Sequence, residues 1–169
     1  FDARPQRRFQ RPAGAAIVVT VERRTWSLLA AILGSGVVFL DSTVVTVALS
    51  AIGAELPRVS SLGVLEAQSY VYNGYLLSLS ALLIVGGALS DTRGRRRMYL
   101  YGLVGFGVAT ALCGLAPNME VLIAGRVLQG AGGALLVPGS LALINAAYTG
   151  DDRSRAFGIW TGATAAVTI

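Results

Sequence analysis

The chain has no histidine, no lysine and a single cysteine, Cys113, among its 169 residues. Without histidine there is no Ser/His/Asp triad, no Cys/His pair and no His or Cys cluster to hold a metal. One cysteine permits no intramolecular disulfide and leaves the redox compartment unread; packing is its simplest role. The glycine-rich stretch 130–133 lacks a following Lys and Ser or Thr, so it is not a phosphate-binding loop, and an ATP-driven pump has no nucleotide site here.

Charge is scarce as well. Charged residues make up 14% of the chain, where about 25% is usual for a soluble domain, and hydrophobic residues make up 54%. Residues 26–54 carry one charge, Asp41; 67–90 and 98–119 carry none; 121–150 carry one, Arg126. Each stretch exceeds the roughly 18 apolar residues that suggest a helix crossing a hydrocarbon core of about 30 Å. The sequence therefore predicts an all-α, multi-pass transmembrane bundle with helices at about 26–54, 67–90, 98–116 and 119–148. A fifth begins at Ala156, but the stretch to Ile169 gives only about 21 Å of helix, too little to cross. No polar face repeats along it, as an interfacial helix would need. The chain is read as an N-terminal fragment, with 156–169 a truncated fifth helix.

The net charge is +5, and all 14 basic residues are arginine. Nucleic acid is the first partner such a balance suggests, but the arginines flank the spans. Six lie in the tail up to Thr25, four in 90–97 and two in 148–155, against Arg58 alone on the opposite side. This positive-inside asymmetry predicts a cytoplasmic N-terminus in the plasma (inner) membrane, and no nucleic-acid partner. The run Ala13 to Val21 has the look of a signal peptide, but it lacks a small-residue cleavage site, and Glu22, Arg23 and Arg24 separate it from the first span. Residues 1–25 are expected to form a disordered or interfacial cytoplasmic tail, and 26–169 the partial transmembrane domain. Turns are expected at Pro57–Arg58, Asp91–Gly94, Pro117–Asn118 and Gly150–Asp152. Such short links make consecutive helices antiparallel neighbours.

Charges inside the membrane cost at least about 2.5–3.5 kcal/mol each on insertion scales and usually face the bundle interior on a functional path. Asp41 lies about 16 Å below the outer end of the first span and Arg126 about 12 Å below the outer start of the fourth. The matching depths predict a shared polar site. Burial disfavours a charged carboxylate and a nearby guanidinium favours it, so a conformational change can load and release a proton at Asp41. Arginine stays charged and cannot exchange that proton. The alternative is a static structural ion pair. Gln129, three residues after Arg126, lines a cavity or binds a neighbouring helix. Gly125, Gly130, Gly132, Gly133 and Ala134 keep the same helix slim, and Pro138 frees a carbonyl and suggests a kink. Among Tyr70, Tyr72 and Tyr75, interfacial or packing residues by position, Tyr75 is the pocket candidate. In the segment 86–97, Asp91, glycines and an arginine cluster form either a plain orientation signal or a charged clasp that opens in one conformation.

Three segments together resemble the major facilitator superfamily, and within it the drug:proton antiporters of the 14-helix kind. Gly87, Asp91, Gly94, Arg95 and Arg96 fit the superfamily's signature between helices 2 and 3, with Thr92 departing from the usual basic residue and Arg93 following it. Arg126, Gln129, Gly130 and Gly132 fit the helix 4 signature of proton antiporters. Asp41, Thr43, Val44, Ala48 and Leu49 fit the helix 1 motif, with Thr46 in place of the usual Asn and Ser50 in place of the usual Pro. The resemblance implies a proton-coupled exporter of drugs or other small amphipathic compounds, without cofactor, metal or enzymatic activity. Asp41 and Arg126 would couple protons; Thr43, Tyr75, Gln129, Gly130 and Gly132 would line the cavity or pack helices; Gly87 to Arg96 would gate the cytoplasmic side. The implied partners are a small-molecule substrate, protons, the lipid bilayer and a C-terminal half. A proton-coupled importer of a nutrient and a non-transporting fragment are the alternatives.

Overall fold

The computed structural model describes residues 13–59 and 63–167, with side chains from residue 22 onward. Its described elements are five helices: α1 (Ala13–Glu55), α2 (Val64–Arg93), α3 (Arg95–Gly114), α4 (Met119–Ala147) and α5 (Gly150–Ala166). The chain is an all-α, multi-pass membrane bundle. α1 from Glu22, α2 and α4 are each long and apolar enough to cross a bilayer. Large side chains such as Val47, Leu77 and Ile84 stand on the outside, 77%, 68% and 82% exposed, an arrangement suited to lipid and costly in water.

Four expectations change. Residues 13–25 are helical: α1 runs from Ala13 unbroken into the first span, and no proline interrupts it before Pro57. The expected tail at 1–12 lies outside the described residues. α5 begins at Gly150 rather than at 156, with its two acidic residues in the first turn, where the helix dipole favours them. The polar turn expected at 91–94 shrinks to Gly94, whose φ of +98° reverses the chain between α2 and α3; only glycine takes that conformation readily. The third expected span, α3, is not among the helices long and apolar enough to cross a bilayer, whereas the other three are. It has 20 residues, begins with three arginines, and dilutes its apolar run with glycines. It nevertheless lies along α4, from Gly102 beside Leu135 to Cys113 beside Gly125.

Packing centres on α4. α3 rests chiefly on α4, the helix that follows it, but α2 also rests chiefly on α4 rather than on its chain neighbours α1 and α3, so short links did not decide the partner of α2. The cause is the small surface of α4. A Cβ on Gly132 would stand 2.7 Å from the Phe106 backbone nitrogen of α3, and one on Gly130 would stand 3.0 Å from the Leu79 nitrogen of α2. These approaches leave no room for side chains, and dispersion and close backbone contact replace the hydrophobic effect between helices in lipid. Pro138 has no N–H to offer the Ala134 carbonyl, and that carbonyl faces the Cα of Gly86 on α2.

The ends are tied by polar contacts. On the arginine-poor side Asn118 caps α4, accepting from the Val121 amide at 2.9 Å. Beside it the Met119 amide donates to Pro57 O, and the Val59 amide donates to Glu120 Oε1. Asn118→Ala is expected to cost about 1 kcal/mol, the usual value of an N-cap, measured as a lowered thermal midpoint. On the arginine-rich side the Tyr99 hydroxyl of α3 donates to Ala30 O of α1, and Arg24 pairs with Asp152 of α5 at 3.7 Å.

Candidate functional site

Halfway along the bundle, each of the first four helices contributes to one polar cluster. Arg126 of α4 is 1% exposed at its side chain, and its Nη1 donates to Asp41 Oδ2 of α1 at 2.5 Å. The same Nη1 donates to Gln129 Oε1 at 2.5 Å. Gln129, one turn along α4, is fully buried. Its Nε2 donates both to Asp41 Oδ1 at 2.7 Å and to Thr110 Oγ1 of α3 at 2.9 Å. Thr110 in turn donates to Phe106 O at 2.8 Å, and Cys113 Sγ approaches Gln129 Oε1 at 3.7 Å. From α2, the Tyr75 ring lies under the guanidinium, 4.3 Å from its carbon to the ring centroid.

The local reasons are readable. Arg126 and Gln129 are three apart and share a face of α4. Gly125, between them and α3, admits the Cys113 sulfur, which a Cβ would meet at 2.7 Å. The carboxylate has one charged partner and one amide partner, and a carboxylate with such donors is held in one place. The guanidinium is sealed in, with its Nε unpartnered, while the Asp41 side chain keeps 14% of its surface open. Of the two charged groups, the carboxylate is the less deeply buried.

Of the residues singled out in the sequence, the structure joins Asp41, Arg126, Gln129 and Tyr75. It does not join Thr43, which is exposed and donates to Phe39 O within its own helix. Gly130 and Gly132 lie on opposite flanks of α4, against α2 and α3, and serve packing rather than a cavity wall. In the turn, Asp91 and Arg95 form an exposed ion pair at 3.3 Å, Gly94 supplies the reversal, a Cβ at Gly87 would meet nothing within 4 Å, and Arg96 turns toward α1 and α4. Arg95→Ala is expected to change stability by at most about 0.5 kcal/mol, as for other exposed i,i+4 pairs; chemical denaturation checks it. Two members of the cluster, Thr110 and Cys113, escaped the sequence reading. Their signal was a polar residue three positions from a thiol on one face of an otherwise apolar helix.

The sequence profile described as Major Facilitator Superfamily matches residues 14–169. The chain belongs to the Major Facilitator Superfamily. Of the six cluster residues, Asp41, Arg126 and Gln129 lie in the signature segments, whereas Tyr75, Thr110 and Cys113 do not. Among curated relatives, the chain is similar to the "Probable actinorhodin transporter" of Streptomyces coelicolor, 40% identical over 148 residues, which cover 87% of this chain and 25% of that protein. It is likewise 40% identical over 143 residues to the "Methylenomycin A resistance protein" of Bacillus subtilis, covering 83% of this chain and 29% of the relative. It is 39% identical over 146 residues to the "Tetracenomycin C resistance and export protein" of Streptomyces glaucescens, covering 86% and 26%. The chain thus spans about a quarter of the length of these superfamily relatives.

Proposed function

We propose that this chain is part of the N-terminal half of a proton-coupled exporter of antibiotics or other small amphipathic compounds. The transporter works by alternating access in the plasma membrane, with the arginine-rich end cytoplasmic. The observation that carries the reading is the buried Asp41–Arg126–Gln129 cluster, in which a carboxylate with 14% of its side chain exposed meets a fully buried guanidinium. Relatives named for antibiotic resistance and export support the substrate class.

In this mechanism Arg126 is a fixed positive charge, held by Tyr75 and Gln129, that anchors the Asp41 carboxylate while they touch. Movement of α1 against α4 weakens the pair, Asp41 takes a proton from the outer side, and the inward return expels it. Substrate leaves as the proton enters, across a cavity completed by the C-terminal half, which rocks against this one. Thr43, on the exposed face of α1, lines that cavity, and the Gly87–Arg96 turn gates its cytoplasmic mouth.

The test uses the protein in its full reading frame, reconstituted in vesicles with the arginine-rich end outward and an acidic lumen. Vesicles are expected to accumulate substrate, and an ionophore that collapses the proton gradient is expected to stop them. Accumulation that survives collapse of the gradient contradicts the proposal.

A further inference from the structure

A second feature lies at the arginine-rich end, remote from the proton-coupling cluster. The inner ends of α1, α3 and α4 enclose a cleft of about 450 Å³ lined by Arg23, Arg24, Ser27, Arg96 and the small apolar end of α4. It shares Arg23, Ser27, Arg96 and Leu143 with an adjoining groove of about 420 Å³ that climbs between α1 and α3 past Trp26, Ala30, Tyr99 and Leu100.

The charge balance of the cleft is one-sided. Arg24 pairs with Asp152 at 3.7 Å and lies over the Tyr148 ring. Among the described residues, no carboxylate pairs with Arg23 or Arg96. Glu22, next to Arg23, is exposed and joins none of these ion pairs. α3 starts at Arg95, so the positive end of its dipole adds to the field. Above the arginines the wall becomes apolar and opens sideways: Trp26 is 69% exposed and Leu100 45%. Three guanidiniums below a sideways-open apolar groove match a phosphate diester carrying an acyl chain. They match a soluble anion less well, since it would leave the groove empty.

We propose that this cleft binds an anionic phospholipid, its phosphate held by Arg23 and Arg96 with Ser27 and its acyl chain laid along Trp26, Ala30 and Leu100. That the lipid belongs to the inner leaflet rests on the orientation given above; the binding itself does not. Basic pockets between membrane helices on the cytoplasmic side are a recurrent way of holding such headgroups.

Native mass spectrometry of the full-length protein, titrated in detergent with phosphatidylglycerol or phosphatidylcholine, tests this without reference to transport or orientation. Phosphatidylglycerol is expected to be retained preferentially. Each arginine near a lipid phosphate contributes about a fivefold effect, so the double variant Arg23→Ala, Arg96→Ala should weaken retention about thirtyfold. Arg23→Lys, Arg96→Lys should keep most of it, showing that charge and not fold was removed. Equal retention of the two lipids, or undiminished retention by the alanine variant, overturns the proposal. Displacement of the lipid by millimolar inorganic phosphate alone overturns it too, assigning the cleft to a soluble anion. A photo-crosslinker at Leu100 should label lipid; labelling of the protein's own chain shows a further segment filling the groove and excludes the lipid.

Discussion

Asp41→Asn in the full-length transporter is expected to reduce proton-driven export about 100-fold, the upper range of a coupling near 3 kcal/mol, while substrate exchange without a gradient stays within about threefold, the size of ordinary context scatter. The asymmetry follows from the geometry. Asparagine has nearly the shape of aspartate and can still accept from Arg126 Nη1, so the α1–α4 contact survives in outline. Arg126 keeps Gln129 Oε1 and the Tyr75 ring as partners, which limits the cost of an unpaired buried charge. What is lost is the group that can bind and release a proton. Asp41→Glu restores the carboxylate with a longer stem and is expected to recover part of the coupling. Gradient-driven export by Asp41→Asn at wild-type rate would leave the pair a static strut.

The second large effect concerns Gly130. Its missing Cβ is where the α2 backbone passes, with Tyr75 O, Ser78 Oγ and Leu79 N all in reach. Gly130→Val cannot be absorbed by turning a side chain, because two of those three atoms are backbone. α2 must retreat, taking Tyr75 off the Arg126 guanidinium. We expect a loss of about 3 kcal/mol or more, the upper end for overpacked cores, read as a fall in the thermal unfolding midpoint, together with loss of transport. Gly107→Ala on α3 is the control. Nothing lies within 4 Å of its built Cβ, and its midpoint should shift by no more than the equivalent of about 0.5 kcal/mol.

These two sites differ in how plainly the sequence announces them. Asp41 and Arg126 stand out because they are the only charges within long apolar runs, and depth arithmetic alone placed them level. Gln129 was legible from its spacing to Arg126. Thr110 and Cys113 were not, since a neutral hydroxyl and a thiol are ordinary in a membrane helix and only the fold turns them toward Gln129. Tyr75 was legible as the pocket candidate among the three tyrosines near the start of α2, but not as a partner of Arg126; the close approach at Gly130 brings it there. The glycines of α4 signalled slimness but not which helix fills each flank, and sequence adjacency suggested the wrong pairing for α2. Helix ends were the least legible. No breaker separates residues 13–25 from the first span, and hydropathy cannot see a helix that continues past the membrane surface.

The measurement that bears most directly on the central claim is the proton released when substrate binds. In weakly buffered detergent solution with a pH-sensitive dye, the full-length wild-type protein is expected to release up to about one proton per substrate bound, by linkage between the two sites. Asp41→Asn, binding the same substrate, is expected to release none. Equal proton release from the two proteins would contradict the assignment of Asp41 as the group that carries the exchanged proton.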